Sequence, residues 1–363
     1  MSRPEFQKDM QFFHRRADSL EAKPELLTEF ITPNEQFFVC SETSAPMLAP
    51  ETYTLKVGGD GVRKPLALSY EAILKLPSHS VTAYLECAGN GRDLFDKVMN
   101  RPVAETPDGL IMTKWLTGGV GNAVWTGVPL KILLEMAELD PAAVAVNAKG
   151  LDEGAAEGGV SRPMSLEKAL DPDTILAYHM NGQPLPLDNG YPLRLIVPGY
   201  VGTNSVKWVG TITASKSDIK VDRNTKHYVF IGPDWEPQGD LLGELITTQN
   251  IKSSLALAWD APLSAGKQMI KGNARSPHAP ISQVEWSDDN GKTWQLATLI
   301  SPNLKYSWCL FAFEWDPPIG PQTLMTRATD EAGNSQPMEQ PFNEEGYLFN
   351  RVFGHPVKVE RKE

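Results

Sequence analysis

The most informative stretch of the chain is YLECAGNGR, residues 84–92, where an apolar run ends in a glycine-rich turn. The residues from Val81 to Glu86 predict a strand, and Cys87 follows it directly. Glycines let backbone N–H groups approach a ligand closely, and Arg92 adds positive charge. The turn is therefore a candidate site for a thiolate or an anion. The competing interpretation is a buried structural cysteine, since free cysteine is among the most buried residue types.

A single thiolate restricts the metals that this turn can bind. One cysteine without a second Cys or a His at metal-binding spacing cannot hold zinc alone. A soft thiolate can still be the sole protein ligand of a metal whose other ligands come from an organic cofactor. The three cysteines, Cys40, Cys87 and Cys309, are far apart in sequence, which excludes a disulfide framework and suits a reducing compartment.

A second candidate site lies around the apolar run 192–199, which predicts a buried strand. Arg194 lies at its start, and Ser205 and Lys207 follow the next turn. An arginine, a lysine and a hydroxyl at such positions can hold a phosphate by charge-assisted hydrogen bonds. The alternative is that both cations are simply solvated at strand ends.

Length and patterning predict two domains and a fold of the α+β class. A chain of 363 residues fits two domains, and the pattern changes near Asn250. Residues 1–249 mix short helices and strands, with helices predicted at 69–77 and 130–137. Residues 250–363 predict short alternating strands, as in an immunoglobulin-like β-sandwich, with Asn290-Gly291 as a hairpin turn. These strands are predicted at 268–274, 281–287, 292–299, 306–315 and 323–329.

Charge and hydropathy exclude several classes of protein. The net charge of −11 argues against broad binding to nucleic acid or to an anionic membrane surface. We find no apolar run of about 18 residues, and hence no membrane span. The N-terminal residues do not resemble a secretory leader, which predicts a cytoplasmic protein, or a periplasmic one if a leader has been removed.

Several segments in the same order resemble the sulfite oxidase family of molybdenum enzymes. The resemblance covers roughly residues 30–357, and one four-residue motif alone would be weak support for it. Its main segments are Cys87-Ala88-Gly89-Asn90 with Arg92, Met180-Asn181-Gly182-Gln183-Pro184-Leu185-Pro186, Gly190-Tyr191-Pro192-Leu193-Arg194, Ser205-Val206-Lys207-Trp208, and, in the sandwich, 286–294 and 328–337.

The resemblance implies a cofactor and a set of site residues. Cys87 would be the protein ligand of molybdenum, and a single molybdopterin would supply the other sulfurs. Arg92 would face the substrate oxyanion, and Tyr228 falls near the active-site tyrosine of the family. Residues implied in cofactor binding are Phe38, Asn90, Asp152, Asn189, Arg194, Ser205, Val206 and Lys207. The family also implies a homodimer and an external electron carrier such as a cytochrome c, and this chain has no room for a haem domain.

Four departures from the family pattern concern its substrate charges. Cys40 stands where sulfite oxidases generally have an arginine, and Glu42 where they have a histidine. Cys309 aligns near another substrate arginine, and Asn204 stands where animal members have an arginine. Each charge-assisted contact is worth about 1.5–3 kcal/mol, so losing two would weaken sulfite binding by about two orders of magnitude or more. Alternatively, other basic residues, such as Arg162 or Lys114, supply the charge from elsewhere.

The sequence therefore predicts a molybdopterin oxidoreductase that transfers an oxygen atom to or from a small oxo-substrate. Sulfite, or a related sulfur or nitrogen oxo-compound, is the expected substrate. The alternatives are nitrate or sulfoxide reduction, and a binding protein that keeps the fold without redox activity.

Overall fold

The computed structural model describes residues 4–103 and 112–361. The helices are α1 (Tyr70–Leu74), α2 (Arg92–Met99), α3 (Leu130–Met136), α4 (Leu166–Leu170) and α5 (Asp222–Thr225). The strands up to residue 250 are β1 (Phe13–Arg16), β2 (Ser19–Ala22), β3 (Val39–Cys40), β4 (Thr54–Gly58), β5 (Leu66–Ser69), β6 (His79–Glu86), β7 (Val120–Pro129), β8 (Ala145–Gly150), β9 (Ser161–Ser165), β10 (Ile175–Met180), β11 (Gln183–Pro184), β12 (Arg194–Ile196), β13 (Val209–Ser215), β14 (Val229–Phe230) and β15 (Glu244–Leu245). The later strands are β16 (Lys252–Leu255), β17 (Ala261–Ser264), β18 (Gln268–Arg275), β19 (Ile281–Ser287), β20 (Gln295–Leu296), β21 (Thr298–Leu299), β22 (Cys309–Trp315), β23 (Gly320–Asp330) and β24 (His355–Glu360).

Two five-stranded sheets, the first antiparallel and the second mixed, form most of the first part of the chain. One has the strand order β11-β10-β7-β6, with β12 also paired to β10, and the other has the order β5-β4-β13-β8-β9. Leu176 and Leu195 from the first sheet and Ile212 from the second are fully buried in one apolar cluster. Helix α3 adds Leu133 to that cluster, as its amphipathic pattern predicted. Ser69 caps α1, since its Oγ accepts the Ala72 N–H at 3.2 Å.

A small sheet near the N-terminus, β1-β2-β3, places Cys40 beside the glycine-rich turn at residues 87–91, which we call the cysteine turn. Cys40 pairs with Ser19 in this sheet, and Glu21 on β2 accepts the N–H groups of Leu116 and Gly118 at 2.7 and 3.1 Å. The loop containing Gly118 and Gly119 continues into β7, which runs antiparallel to β6. The small sheet is thus attached to the loop beside the end of β6.

The strands after residue 250 form a β-sandwich. One sheet has the order β16-β18-β22-β21 and the other β17-β24-β23-β19-β20. Phe311 and Ile270 from one sheet pack against Val284 and Leu324 from the other in one apolar cluster. The α+β class with a terminal sandwich is therefore confirmed, whereas the boundary at residue 250 stays a prediction. The described residues include no helix long and apolar enough to cross a membrane.

Two strand predictions differ from the structure. The predicted strand 292–299 is interrupted and forms only β20 and β21, and the predicted strand 306–315 begins at Cys309. The hairpin turn at Asn290 and Gly291 is confirmed, because both have positive φ, 60° and 79°. Helix α2 has no counterpart among the sequence predictions, and it begins directly after the cysteine turn.

Candidate active site

The cysteine turn is held by its own backbone and by the loop before β7. The Asn90 N–H donates to the Cys87 carbonyl at 2.9 Å, and the Cys87 N–H donates to the Gly119 carbonyl at 2.9 Å. Gly91 has a φ of 95°, a left-handed conformation that glycine adopts without strain, and α2 begins at the next residue. Cys87 is therefore fixed between a strand and a helix, and its thiol is partly accessible and not in a disulfide.

A buried ionic network lies directly beneath this turn. The Glu86 carboxylate accepts two hydrogen bonds from Arg275, at 2.6 and 2.8 Å, and one from Lys252 at 2.7 Å. Burial alone would raise the pKa of Glu86, but the facing charges of Arg275 and Lys252 outweigh it and lower that pKa to about 2. Lys252 also donates to the Asn90 carbonyl at 3.0 Å, so the network connects the turn to the sandwich strands β16 and β18.

The Asn90 side chain is bonded within the protein. Its Nδ2 donates to Glu86 at 2.8 Å, and its Oδ1 accepts the Gly119 N–H at 3.0 Å. The side chain is fully buried. Asn90 therefore holds the turn in place, and its role in cofactor binding stays a prediction.

Cys40 lies beside Cys87, and its side chain is exposed. The two thiols interact by a hydrogen bond, which lowers the pKa of Cys40 to about 6 with help from the Lys207 ammonium. The same contact, together with burial, raises the pKa of Cys87. The position where the family pattern has an arginine thus brings a second sulfur to the candidate metal ligand.

Two buried cations, Arg194 and Lys207, form the predicted phosphate site. Arg194 donates to the carbonyls of Ser205 and Asn189, both at 3.1 Å, and Lys207 donates to the Asp188 carbonyl at 3.1 Å and to the Ser41 hydroxyl. Neither cation has a carboxylate oxygen within 4.0 Å among residues 4–103 and 112–361. Burial lowers the pKa of Arg194 to about 9 and that of Lys207 to about 7. A bound anion would stabilise the positive charges of this buried pair.

The other residues predicted to bind the cofactor are buried, and each already has contacts within the protein. The Asn189 Nδ2 donates to the Phe38 carbonyl at 3.4 Å, and within the described chain its Oδ1 has no hydrogen-bond partner. Asp152 accepts the Val160 N–H at 3.0 Å, and burial raises its pKa. The Ser205 Oγ accepts the Val197 N–H at 3.1 Å. The Val206 side chain packs in the apolar cluster of the two five-stranded sheets before residue 250, and its predicted contact with the cofactor stays a prediction.

Tyr228 lies among aromatic and cationic side chains. Its ring stacks on Tyr347 with the centroids 5.0 Å apart, and the Arg162 guanidinium lies over the Tyr228 ring at 5.0 Å. The Arg92 guanidinium in turn lies over the Tyr347 ring at 5.2 Å. Burial, followed by the nearby sulfurs of Cys87 and Cys40, raises the pKa of Tyr228, so the phenol stays protonated at neutral pH.

A single 3-10 turn, Gly202–Asn204, contacts several parts of this site. A Cβ at Gly202 would lie 2.8 Å from the Glu86 carbonyl oxygen, so only glycine lets the turn approach the end of β6 this closely. Thr203 hydrogen-bonds Tyr228. The Asn204 Oδ1 accepts a hydrogen bond from the Arg162 Nε at 3.4 Å. The turn thereby sets the positions of the cysteine, the tyrosine and the arginine relative to one another.

Arg92 is buried and tied to the backbone. Its Nε donates to the Glu345 carbonyl at 2.8 Å, and its Nη1 donates to the Thr113 carbonyl at 2.7 Å. A Cβ at Gly89 would lie 2.4 Å from its Nη2, which places the guanidinium against the cysteine turn. Arg92 is therefore close to Cys87, as expected, and its role toward a substrate stays a prediction.

The structure shows where Cys309 lies. It is fully buried in the apolar cluster of the sandwich, and its Sγ lies 3.8 Å from the Ser301 Oγ. Its replacement of a substrate arginine stays a prediction. Arg162 is buried beside Tyr228, which agrees with the alternative that another basic residue supplies charge to the site. Glu42 pairs with Arg223, so its negative charge is compensated.

Sequence reasoning missed the network of Glu86, Lys252 and Arg275, and it missed Tyr347. Arg275 lies 189 residues from Glu86 in the chain, so no local pattern connects them. A charged residue that ends a strongly apolar strand, as Glu86 does, was the one available signal. Tyr347 had no such sequence signal, because it lies in an irregular segment outside the named strands.

Comparison with known proteins identifies related families over most of the chain. The family profile described as "Oxidoreductase molybdopterin binding domain" matches residues 42–222, and that described as "Mo-co oxidoreductase dimerisation domain" matches residues 246–361. The chain is 34% identical to the mitochondrial sulfite oxidase of Rattus norvegicus, over 89% of this chain and 60% of that protein. It is 33% identical to the sulfite oxidase of Gallus gallus, over 87% of this chain and 70% of that protein.

Two further relatives bear the names of enzymes with other activities. Nitrate reductase [NADH] 1 of Phaseolus vulgaris is 30% identical over 89% of this chain and 39% of that protein. The solved structure of the sulfane dehydrogenase SoxCD from Paracoccus pantotrophus superimposes with a TM-score of 0.80 and 26% identity, covering 99% of this chain and 90% of that one. The chain spans about 60% of the length of the mammalian sulfite oxidases that it matches.

Proposed function

Because this chain belongs to the sulfite oxidase family of molybdopterin-dependent oxidoreductases, as its sequence predicted, we propose that it oxidises a small sulfur oxyanion by oxygen-atom transfer. Sulfite is the first substrate to test. The observation that carries the proposal is that the Cys87 thiol, Tyr228 and two buried cations, which make no ion pair within the described residues, lie around one site. The same surroundings distinguish Cys87 from an ordinary buried structural cysteine.

The residues present fit a molybdopterin with its metal. A pterin phosphate would neutralise Arg194 and Lys207, whose charges otherwise lie buried without a carboxylate partner in the part of the chain that the structure describes. The Asn189 Oδ1, a buried acceptor without a partner among those residues, suits an N–H donor of a pterin. The Cys87 thiolate is the kind of soft ligand that molybdenum takes beside dithiolene sulfurs.

The bound cofactor would supply the two-electron oxygen-atom chemistry, and the protein would fix its ligand, its charge and its access. Arg194 and Lys207 would hold the phosphate end, and Cys87 the metal end. The Tyr228 hydroxyl, protonated at neutral pH, would donate a hydrogen bond to a substrate oxygen. Arg162 would hold the Tyr228 ring in position, and Arg92 would stabilise negative charge beside Cys87.

The proposed reaction balances with sulfite, water and an electron acceptor. Sulfite and water give sulfate, two protons and two electrons, and the electrons leave singly to an external carrier such as a cytochrome c. Residues 246–361 match a dimerisation domain, and we propose that the protein acts as a homodimer. A cytoplasmic location remains part of the proposal.

The positive charge around the site favours sulfite as a substrate more strongly than the sequence alone indicated. Of the two positions where a loss is expected, Cys40 contacts Cys87 and Cys309 is buried in the sandwich cluster, while Arg162 supplies one compensating cation near Tyr228. We therefore propose a smaller weakening of sulfite binding than the two or more orders of magnitude expected from the sequence. A single lost contact corresponds to about 10- to 100-fold.

A substrate panel on the molybdenum-loaded protein tests the proposal. Sulfite and thiosulfate are offered with ferricyanide as the electron acceptor, and nitrate, dimethyl sulfoxide and trimethylamine N-oxide with reduced viologen as the donor. We expect molybdenum and pterin to copurify with the protein and sulfite to be oxidised. Loaded protein that reduces nitrate and leaves sulfite unchanged would overturn the substrate. Protein that takes up no molybdenum would instead favour a binding protein without redox activity.

A further inference from the structure

Two thiols from distant parts of the chain meet at the candidate metal site. Cys87 directly follows β6, and Cys40 ends β3 of the N-terminal sheet. That sheet is fixed to the loop that binds Cys87, since Ala22 of β2 donates to the Gly118 carbonyl at 3.2 Å and Cys87 donates to the Gly119 carbonyl at 2.9 Å. Their side chains hydrogen-bond each other. The contact is therefore built into the fold and does not depend on one flexible side chain.

Neither residue of this pair is fully buried. The Cys40 side chain is exposed, Cys87 is partly exposed, and neither is in a disulfide. The third cysteine, Cys309, is fully buried in the sandwich core, where its neighbours are Ser301 and Leu310. The chain thus contains one accessible thiol pair and one protected thiol, which serves as an internal control.

The positive charge around the pair favours reaction with an oxidant. Lys207 and Arg194 both interact electrostatically with Cys40, and Arg92 does so with Cys87. Cations beside the two sulfurs stabilise the negative charge that develops on a peroxide oxygen as the O–O bond breaks. One carboxylate, Glu42, also faces Cys40, and it is paired with Arg223.

We propose that Cys40 and Cys87 form a reversible disulfide in the cofactor-free protein, and that peroxide is the oxidant. The Cys40 sulfur attacks one peroxide oxygen, giving a sulfenic acid and releasing hydroxide, which takes up the thiol proton and becomes water. The Cys87 thiol then displaces the sulfenic oxygen as a second water and forms the Sγ–Sγ bond. Each sulfur loses one electron, and the peroxide takes up both.

This bond would occupy the sulfur that the metal needs. Oxidised protein could not take up molybdenum until a thiol reductant had restored Cys87, and Cys87 would meanwhile be protected from irreversible oxidation to a sulfinic acid. The consequence for metal uptake rests on the proposed function. Formation of the disulfide does not, because it needs only the two thiols and the oxidant.

The test uses full-length protein produced without molybdenum cofactor and treated with hydrogen peroxide. Free thiols are then alkylated in denaturant, and the bridged peptides are identified by mass spectrometry. Of the three cysteines, we expect only Cys309 to be alkylated after oxidation. Dithiothreitol should restore all of them, together with the uptake of molybdenum cofactor.

Three variants separate the outcomes. In Cys40→Ser, and independently in Cys40→Ala, we expect no bridge and irreversible oxidation of Cys87, whereas Cys309→Ser should behave as wild type. The proposal is overturned if Cys40 and Cys87 both remain alkylatable in wild type, or if both are recovered as separate sulfinic acids. A bridge that forms in protein that never binds molybdenum would support the disulfide and count against the proposed function alone.

Discussion

Replacing Glu86 by Gln removes the one negative charge that compensates two buried cations. Glu86 and Arg275 are fully buried, and Lys252 is nearly so. Breaking a buried ion pair by neutralising one partner costs about 3–5 kcal/mol, because an uncompensated charge stays in the interior. The pKa of Glu86 gives a similar figure, since a fall from about 4.3 in the unfolded chain to about 2 corresponds to about 3 kcal/mol.

Calorimetry in parallel with a matched variant measures this cost. An unfolding entropy of about 2.1 cal/mol/K per residue over 363 residues converts about 3–5 kcal/mol into a Tm lower by about 4–7 °C. Glu285→Gln breaks a partly exposed pair with Arg327 at 2.8 Å and should lower Tm by no more than about 1 °C.

The pH dependence of stability provides a second readout of the same change. The folded state lowers the pKa of Glu86, so its contribution is complete above about pH 4.3 and is lost as the pH falls toward 2. Wild type should therefore lose more stability than Glu86→Gln over this range. Equal Tm losses in Glu86→Gln and Glu285→Gln, with parallel pH profiles, would refute the reasoning.

Three further predictions concern the site itself. Cys87→Ser should lose its molybdenum by elemental analysis while its circular dichroism stays unchanged, and retained metal would exclude Cys87 as the ligand. Cofactor-free wild type should bind inorganic phosphate less tightly as the pH rises through about 7, because Lys207 must be protonated to bind an anion. In titration calorimetry, Lys207→Met should bind phosphate weakly and without this pH dependence. Tyr228→Phe should lower kcat about 100-fold at unchanged molybdenum content, and an unchanged kcat would remove Tyr228 from the mechanism.

The cysteine turn and the phosphate site were predictable because each depends on neighbouring residues. A strand followed by glycines places Cys87, and one apolar strand with its following turn brings Arg194 and Lys207 together. Period-two patterning also identified most of the sandwich strands. The same periodicity predicts a buried Cys309, since it shares the inward face of β22 with Phe311 and Phe313.

The remainder of the site depends on contacts that no local pattern contains. Arg162 reaches Tyr228 from β9, and Cys40 reaches Cys87 from an N-terminal sheet. Glu86 finds its partners on two strands of the sandwich. Each pairing is fixed by how sheets pack, and only the folded chain reveals it.

We propose that Cys87 belongs to a molybdenum site that oxidises sulfite. The most direct measurement compares molybdenum-loaded wild type with Cys87→Ser for sulfate formed and ferricyanide reduced. We expect two ferricyanide ions reduced per sulfate in wild type and neither product in the variant. Wild-type protein that carries molybdenum and forms no sulfate, or a variant that still forms it, would exclude this site as the sulfite-oxidising centre.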